Sequence, residues 1–125
     1  MEKIISKQSK YNFEETIKVL KNYLESKDFK ILCTIDHAEA AHKAGLNLEN
    51  TVLLVFGNPK AGTLLMQDSR FMGLELPLKL LIYEENNKTK IAYFEIAEYD
   101  KFNLKEKDIL KNIEILYNNI GKEIS

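Results

Sequence analysis

Two places in the chain bring chemically capable side chains to points where backbone groups are also free. The first is Gly57-Asn58-Pro59-Lys60-Ala61-Gly62-Thr63. Glycine, four residues, glycine and a hydroxyl imitate a loop that cradles phosphates with amides and a lysine. The lysine that should follow the second glycine is missing, Lys60 lies inside the loop instead, and no strand-end aspartate is placed to hold magnesium. A nucleotide hydrolase is therefore rejected. What survives is a helix start whose N–H groups, with Lys60 and Thr63 in local reach, suit a carboxylate or phosphate. Such a turn is more often a plain connection than a site.

The second place is Asp36-His37 at the end of a strand-like run. An imidazole beside a carboxylate suits a general base or a metal ligand, since the acid stabilises its charged form. In the plainer reading Asp36 caps a helix and His37 fills an exposed first-turn position. His42 does not complete a metal pair, because five residues turn it about 140° around a helix, whereas shared ligation needs three or four. No metal site and no cofactor are expected. A partnership of His37 with Met66 or Asp68 stays open, as spacing alone does not argue it.

The elements that must position these groups are legible from periodicity. Thr51–Phe56 reads as a strand buried on both faces, and Gly57-Asn58-Pro59 hands it to a helix running to about Ser69, with Asn58 as cap and Pro59 at the first helical position. Upstream, Ile4-Ile5 suggests a short first strand. Asn12 and Glu15 form a capping box for a helix striped by Phe13, Ile17, Leu20 and Leu24 and ending near Ser26. Phe29, Ile31, Cys33 and Ile35 then alternate as the apolar face of a second strand, with Cys33 as a small core residue. Asp36 and Glu39 form a second capping box, and Gly45 closes that helix.

Downstream, Leu76, Leu78, Leu80 and Ile82 share one strand face, and Pro77 marks an edge or a strand entrance. Asn86-Asn87 suits a tight hairpin turn into a strand over Lys90–Ile96, with Ala92, Phe94 and Ile96 on one side. Asn103 and Glu106 have capping-box spacing for a last helix, opened by Leu104 and striped by Ile109, Ile113, Leu116 and Ile120. The predicted order β-α-β-α-β-α-β-β-α gives an α+β fold: a largely antiparallel sheet with two long helices on one face. Residues 1–125 read as a single domain.

Composition narrows the function classes. Eighteen basic residues balance nineteen acidic ones for a net charge of −1, and Arg70 is the only arginine. Phosphate-backbone binders need a basic excess and favour arginine, so no nucleic acid is expected as partner. An apolar content of 45% with 30% charged residues suits a soluble globular chain rather than a disordered one. No run of about 18 apolar residues is present, so no membrane span is expected, and Met1–Lys7 lacks the apolar core of a signal peptide. A cytoplasmic location follows as the expectation.

Taken together, Ile35-Asp36-His37-Ala38 with Ala41, Gly45-Leu46, Phe56-Gly57-Asn58-Pro59-Lys60-Ala61-Gly62-Thr63 with Leu65-Met66, and Leu76-Pro77-Leu78-Lys79 with Glu84 resemble the family called domain of unknown function 302. The likeness runs from about Phe13 to Tyr93. It implies a fold similar to that of the TATA-box-binding protein, a homodimer, and no established activity. By motif, Asp36, His37, Asn58, Pro59, Lys60, Gly62, Thr63 and Met66 match the family's characteristic positions. The chain departs after Glu95, where Ile96-Ala97-Glu98-Tyr99 replaces the aspartate-proline and arginine-histidine pairs that such relatives often carry.

The expected function is a homodimeric module binding a small polar or anionic molecule in one hollow shared by Asp36, His37, Asn58, Lys60, Gly62, Thr63 and Met66. The alternatives are an enzyme or metal-binding protein that uses His37, and a structural module whose apolar segment Leu74–Leu78 joins two subunits.

Overall fold

The apolar run that hands over to Asn58 lies inside a five-stranded sheet. The computed structural model describes residues 3–125, and of Ala97, Glu98 and Asp100 the backbone only. The strands are β1 (Ile4–Gln8), β2 (Lys30–Asp36), β3 (Thr51–Gly57), β4 (Leu78–Glu85) and β5 (Lys88–Phe94). They lie in the order β1-β5-β4-β3-β2, and every neighbouring pair is antiparallel. The helices are α1 (Phe13–Ser26), α2 (His37–Lys43), α3 (Pro59–Asp68), α4 (Met72–Glu75) and α5 (Lys107–Glu123), with a 3-10 helix over Ile96–Phe102.

One face of the sheet makes the core. Val52, Leu54 and Phe56 of β3, Leu78, Leu80 and Ile82 of β4, and Ile91 and Tyr93 of β5 are buried in one cluster with Leu20 and Leu24 of α1 and Leu110, Ile113, Leu116 and Ile120 of α5. Each such side chain contributes roughly 1.5–3 kcal/mol when taken out of water. The other face carries Ile35, Leu53, Leu81 and Ala92 in one cross-strand row, none of them fully buried. The expected α+β arrangement, an antiparallel sheet with the two long helices on one side, is the observed one.

Several expectations change, each for a physical reason. Cys33 is exposed rather than in the core. A β-bulge lies between Ile31 and Cys33: Ile31 faces Phe56 while Cys33 faces Val55, so the alternation read from the sequence slips by one at Leu32. Because β2 is also an edge strand, Leu32, Cys33, Thr34, Ile35 and Asp36 are all exposed.

Strand β4 begins at Leu78 rather than Leu76. The Leu76-Pro77 peptide bond is cis, and Pro77 precedes the first strand residue of a central strand, so it marks an entrance and not an edge. The hairpin strand is Lys88–Phe94, with Thr89, Ile91 and Tyr93 inward, which leaves Phe94 outward and Ile96 beyond the strand.

The last helix begins at Lys107, not Leu104, and Asn103 does not cap it. Asn103 sits at φ 52°, α5 has no side-chain cap, and the segment leading into it is held from α3: Asp68 Oδ2 accepts hydrogen bonds from the amides of Lys105 and Glu106, each at 2.9 Å.

Candidate functional site

The β3-to-α3 handover follows its local chemistry closely. Asn58 takes an extended conformation (φ −119°, ψ 111°), and its Oδ1 accepts from the Ala61 amide at 3.1 Å. The Gly62 amide donates to the Asn58 carbonyl at 2.9 Å, and Asn58 Nδ2 donates to the Asp28 carbonyl at 3.4 Å. Two of the amides expected to meet an anion therefore serve the helix itself. Pro59 supplies none.

Above this turn the structure builds a hollow of about 350 Å³. Its floor is the end of β3 and the first turns of α3, with Gly57, Asn58, Gly62, Thr63 and Met66. Gly73 of α4 with Leu76 and Pro77 forms one wall, while Phe29, Leu32 and Ile113 complete the rim from distant parts of the chain. The bulge matters here, because it turns Leu32 to this rim. The Lys79 ammonium holds the wall by donating to the carbonyls of Glu75 (3.0 Å) and Pro77 (3.1 Å).

Asn58 and Thr63 are the lining residues with polar side chains, and Asn58 accepts one bond at Oδ1 and donates one from Nδ2. The Thr63 hydroxyl and the second Nδ2 hydrogen of Asn58 are thus the side-chain donors left for a guest.

The seven residues expected to share one hollow divide into two groups. Asn58, Gly62, Thr63 and Met66 line it; Lys60 is exposed and does not. Asp36 and His37 lie elsewhere, because Asp36 pairs with Val52 at the start of β3 whereas Gly57 ends it. Five residues of strand separate the two ends by about 17 Å. Antiparallel pairing imposes this: the chain leaves β2 at the opposite end of the strands from where it leaves β3.

Asp36 Oδ1 accepts from the Glu39 amide at 2.9 Å, so it is a helix cap, and His37 is exposed beside it. Among the described residues no group of three or more His, Cys, Asp and Glu side chains is arranged to hold a metal ion. Asp68, open as a partner for His37, is engaged instead with the start of α5.

Sequence reasoning missed the wall and the rim. Phe29, Leu32, Leu76 and Ile113 carry no signal beyond apolarity, although the glycine at position 73 in an otherwise apolar stretch was a cue to open space. It also missed an aromatic support under the sheet. Tyr117 stacks on Tyr93 with centroids 4.3 Å apart and donates its hydroxyl to the Lys79 carbonyl at 3.0 Å. Burial, ahead of the neighbouring Tyr99 and Tyr93, pushes the Tyr117 phenol well above its ordinary value and outweighs the opposing bond to Lys79.

Comparison with known proteins settles the family. The family described as Domain of unknown function DUF302 matches residues 5–120. The chain belongs to that family. A crystal structure of an uncharacterized conserved DUF302 protein from Bacillus stearothermophilus superposes with a TM-score of 0.87 over 98% of each chain at 24% identity, which supports the fold.

The DUF302 chain is also 37% identical over 84 residues to proteins of Brucella suis and Brucella abortus, each named "Fluoride-specific ion channel FluC 1". The match covers 67% of this chain but only 33% and 31% of those proteins, so the chain spans about a third of their length. Among the described residues no helix is long and apolar enough to cross a membrane.

Proposed function

We propose that this DUF302 chain is a non-catalytic homodimeric binding module that holds a small molecule in the hollow beside Asn58–Thr63. The observation that carries the reading is the hollow itself, built where β3, α3, α4 and α5 meet and opening at the Gly-Asn-Pro-Lys-Ala-Gly-Thr turn. Its size falls at the small end of ligand cavities, about 300–1,000 Å³. Among the described residues that line it none carries a titratable side chain, and the Asp36-His37 pair stands at the far end of β3. Phe71 and Leu74, 69% and 80% exposed, present the apolar surface through which two copies associate. We place the module in the cytoplasm, where its exposed Cys33 stays reduced.

The Brucella relatives bear on the same reading. A segment like this one forms about a third of proteins named for an ion channel, and no helix described here crosses a membrane. The likeness therefore supports a module that accompanies other machinery, and fluoride belongs among the compounds to be tried.

The test is a thermal-shift screen with fluoride, phosphate, acetate, neutral metabolites and small alcohols, run in parallel on Gly62→Trp, whose indole would fill the hollow. The expected result is a compound that raises the melting temperature of the native chain and not of the variant. A screen in which nothing binds, or in which Gly62→Trp responds equally, overturns the site. Sedimentation addresses assembly: a dimer for the native chain and monomer for Leu74→Asp is expected, and monomer for both removes the dimer.

A further inference from the structure

The five glycines of this chain fall into two groups. Gly45 has a φ of 78°, which L side chains rarely adopt, and a Cβ on Gly121 would sit 2.6 Å from Lys7 Nζ. Gly45 thus has a backbone reason for lacking a side chain, and at Gly121 a Cβ would require the flexible end of Lys7 to move aside. Gly57, Gly62 and Gly73 have neither constraint. Their φ angles are not in the left-handed region, and an added Cβ would meet Pro77, Leu76 and Met66 at 3.9, 3.6 and 3.5 Å, ordinary contact distances. All three line the hollow, and the atoms their methyl groups would touch belong to its walls. Gly62 moreover lies within α3, where glycine is less favourable than alanine by up to about 1 kcal/mol. The backbone would accept alanine at each site, and alanine at each site would narrow the space.

We infer that these glycines keep room for a guest, and that the guest is a neutral amphiphile with a slender apolar body and one hydrogen-bonding end. This rests on the binding reading above and specifies its ligand. The apolar body follows from the lining, where only Asn58 and Thr63 have polar side chains and Asn58 is already paired twice. The polar end follows from the few polar groups in the lining, the Thr63 hydroxyl and the Nδ2 hydrogen that Asn58 does not use. Neutrality follows from Lys60, the turn's only cation, which stands outside the lining. A charged group buried there would lose its hydration with no opposite charge beside it.

Straight-chain alcohols from butanol to decanol, titrated calorimetrically, test the inference. Affinity is expected to rise about fourfold per methylene, the equivalent of about 0.8 kcal/mol, until the hollow is full. Gly62→Ala and Gly73→Ala should remain folded, with a melting temperature no lower than the native one, and the rise should stop one or two methylenes sooner. Thr63→Val should weaken every alcohol by about two- to tenfold.

Alcohol binding with the same length limit in both alanine variants overturns the assignment of the glycines. If acetate or phosphate binds more tightly than any alcohol and Gly62→Trp abolishes it, the site stands and the ligand class falls. Alcohol binding that survives Gly62→Trp removes both. Alcohol affinity that increases in Leu74→Asp would mean that a second copy occupies the hollow, and would overturn the small-molecule reading.

Discussion

A strand-to-helix junction lies beside each end of β3, one leaving β2 and one leaving β3 itself, and the two differ in what the rest of the chain adds. At one end Asp36 caps α2 through the Glu39 amide; at the other Asn58 caps α3 through the Ala61 amide. The local chemistry is nearly the same. Yet α2 buries only Ala38, while α3 buries Leu65 completely, binds the start of α5 through Asp68 and borders the hollow. A capped helix start is written in four residues. A site requires walls, and the walls here come from positions as far apart as 29 and 113.

The comparison can be broken at several points. Leu65→Ala should have the largest effect, destabilising the chain by about 2–5 kcal/mol in urea titrations, because a fully buried side chain is lost from under α3. A value near zero would mean that α3 is held no more firmly than α2. Next is Asp68→Ala, which strands two amides at the start of α5. A loss of roughly 1.5–3 kcal/mol is expected, with faster hydrogen exchange at Lys105 and Glu106. If exchange there is unchanged, α5 does not depend on α3.

Replacing the two caps compares the junctions directly. Asn58→Ala should cost about 1–2 kcal/mol, since the cap and the bond to Asp28 are both lost, and Asp36→Ala about 0.5 kcal/mol on exposed α2. Equal losses would erase the distinction.

The last test is one of pH. Burial holds the Tyr117 phenol above its ordinary 10.0, so above pH 10 the unfolded chain sheds a proton that the folded chain retains, and stability falls as pH rises. Tyr117→Phe should cost about 0.5–1.5 kcal/mol at neutral pH and should flatten that alkaline decline. A decline equally steep in the variant would assign it to another group.

What could be read from the sequence follows the same division. The caps at Asn12, Asp36 and Asn58 were legible because donor and acceptor lie three residues apart. The tether ahead of α5 was not, because its acceptor, Asp68, lies 37 residues before Lys105, and Asn103 merely had the right spacing. The exposure of Cys33 was hidden by a single extra residue in β2, which no periodicity count registers. The turn that floors the hollow was legible and the hollow's polarity was not. The motif shows which amides exist, and only the fold shows that Asn58 uses one of them and that Leu76, Pro77 and Ile113 close the space above.

The irregularity at Leu32 has a second consequence. β2 is an outermost strand, and an unbroken rim of spare donors and acceptors there would invite a stranger's extended chain to add itself, then another, toward a fibre. The extra residue throws those groups out of step midway along the rim, so an incoming chain finds only the short stretch Cys33–Asp36 in regular order. The same kink that brings a leucine to the mouth of the hollow also guards the sheet against polymerising.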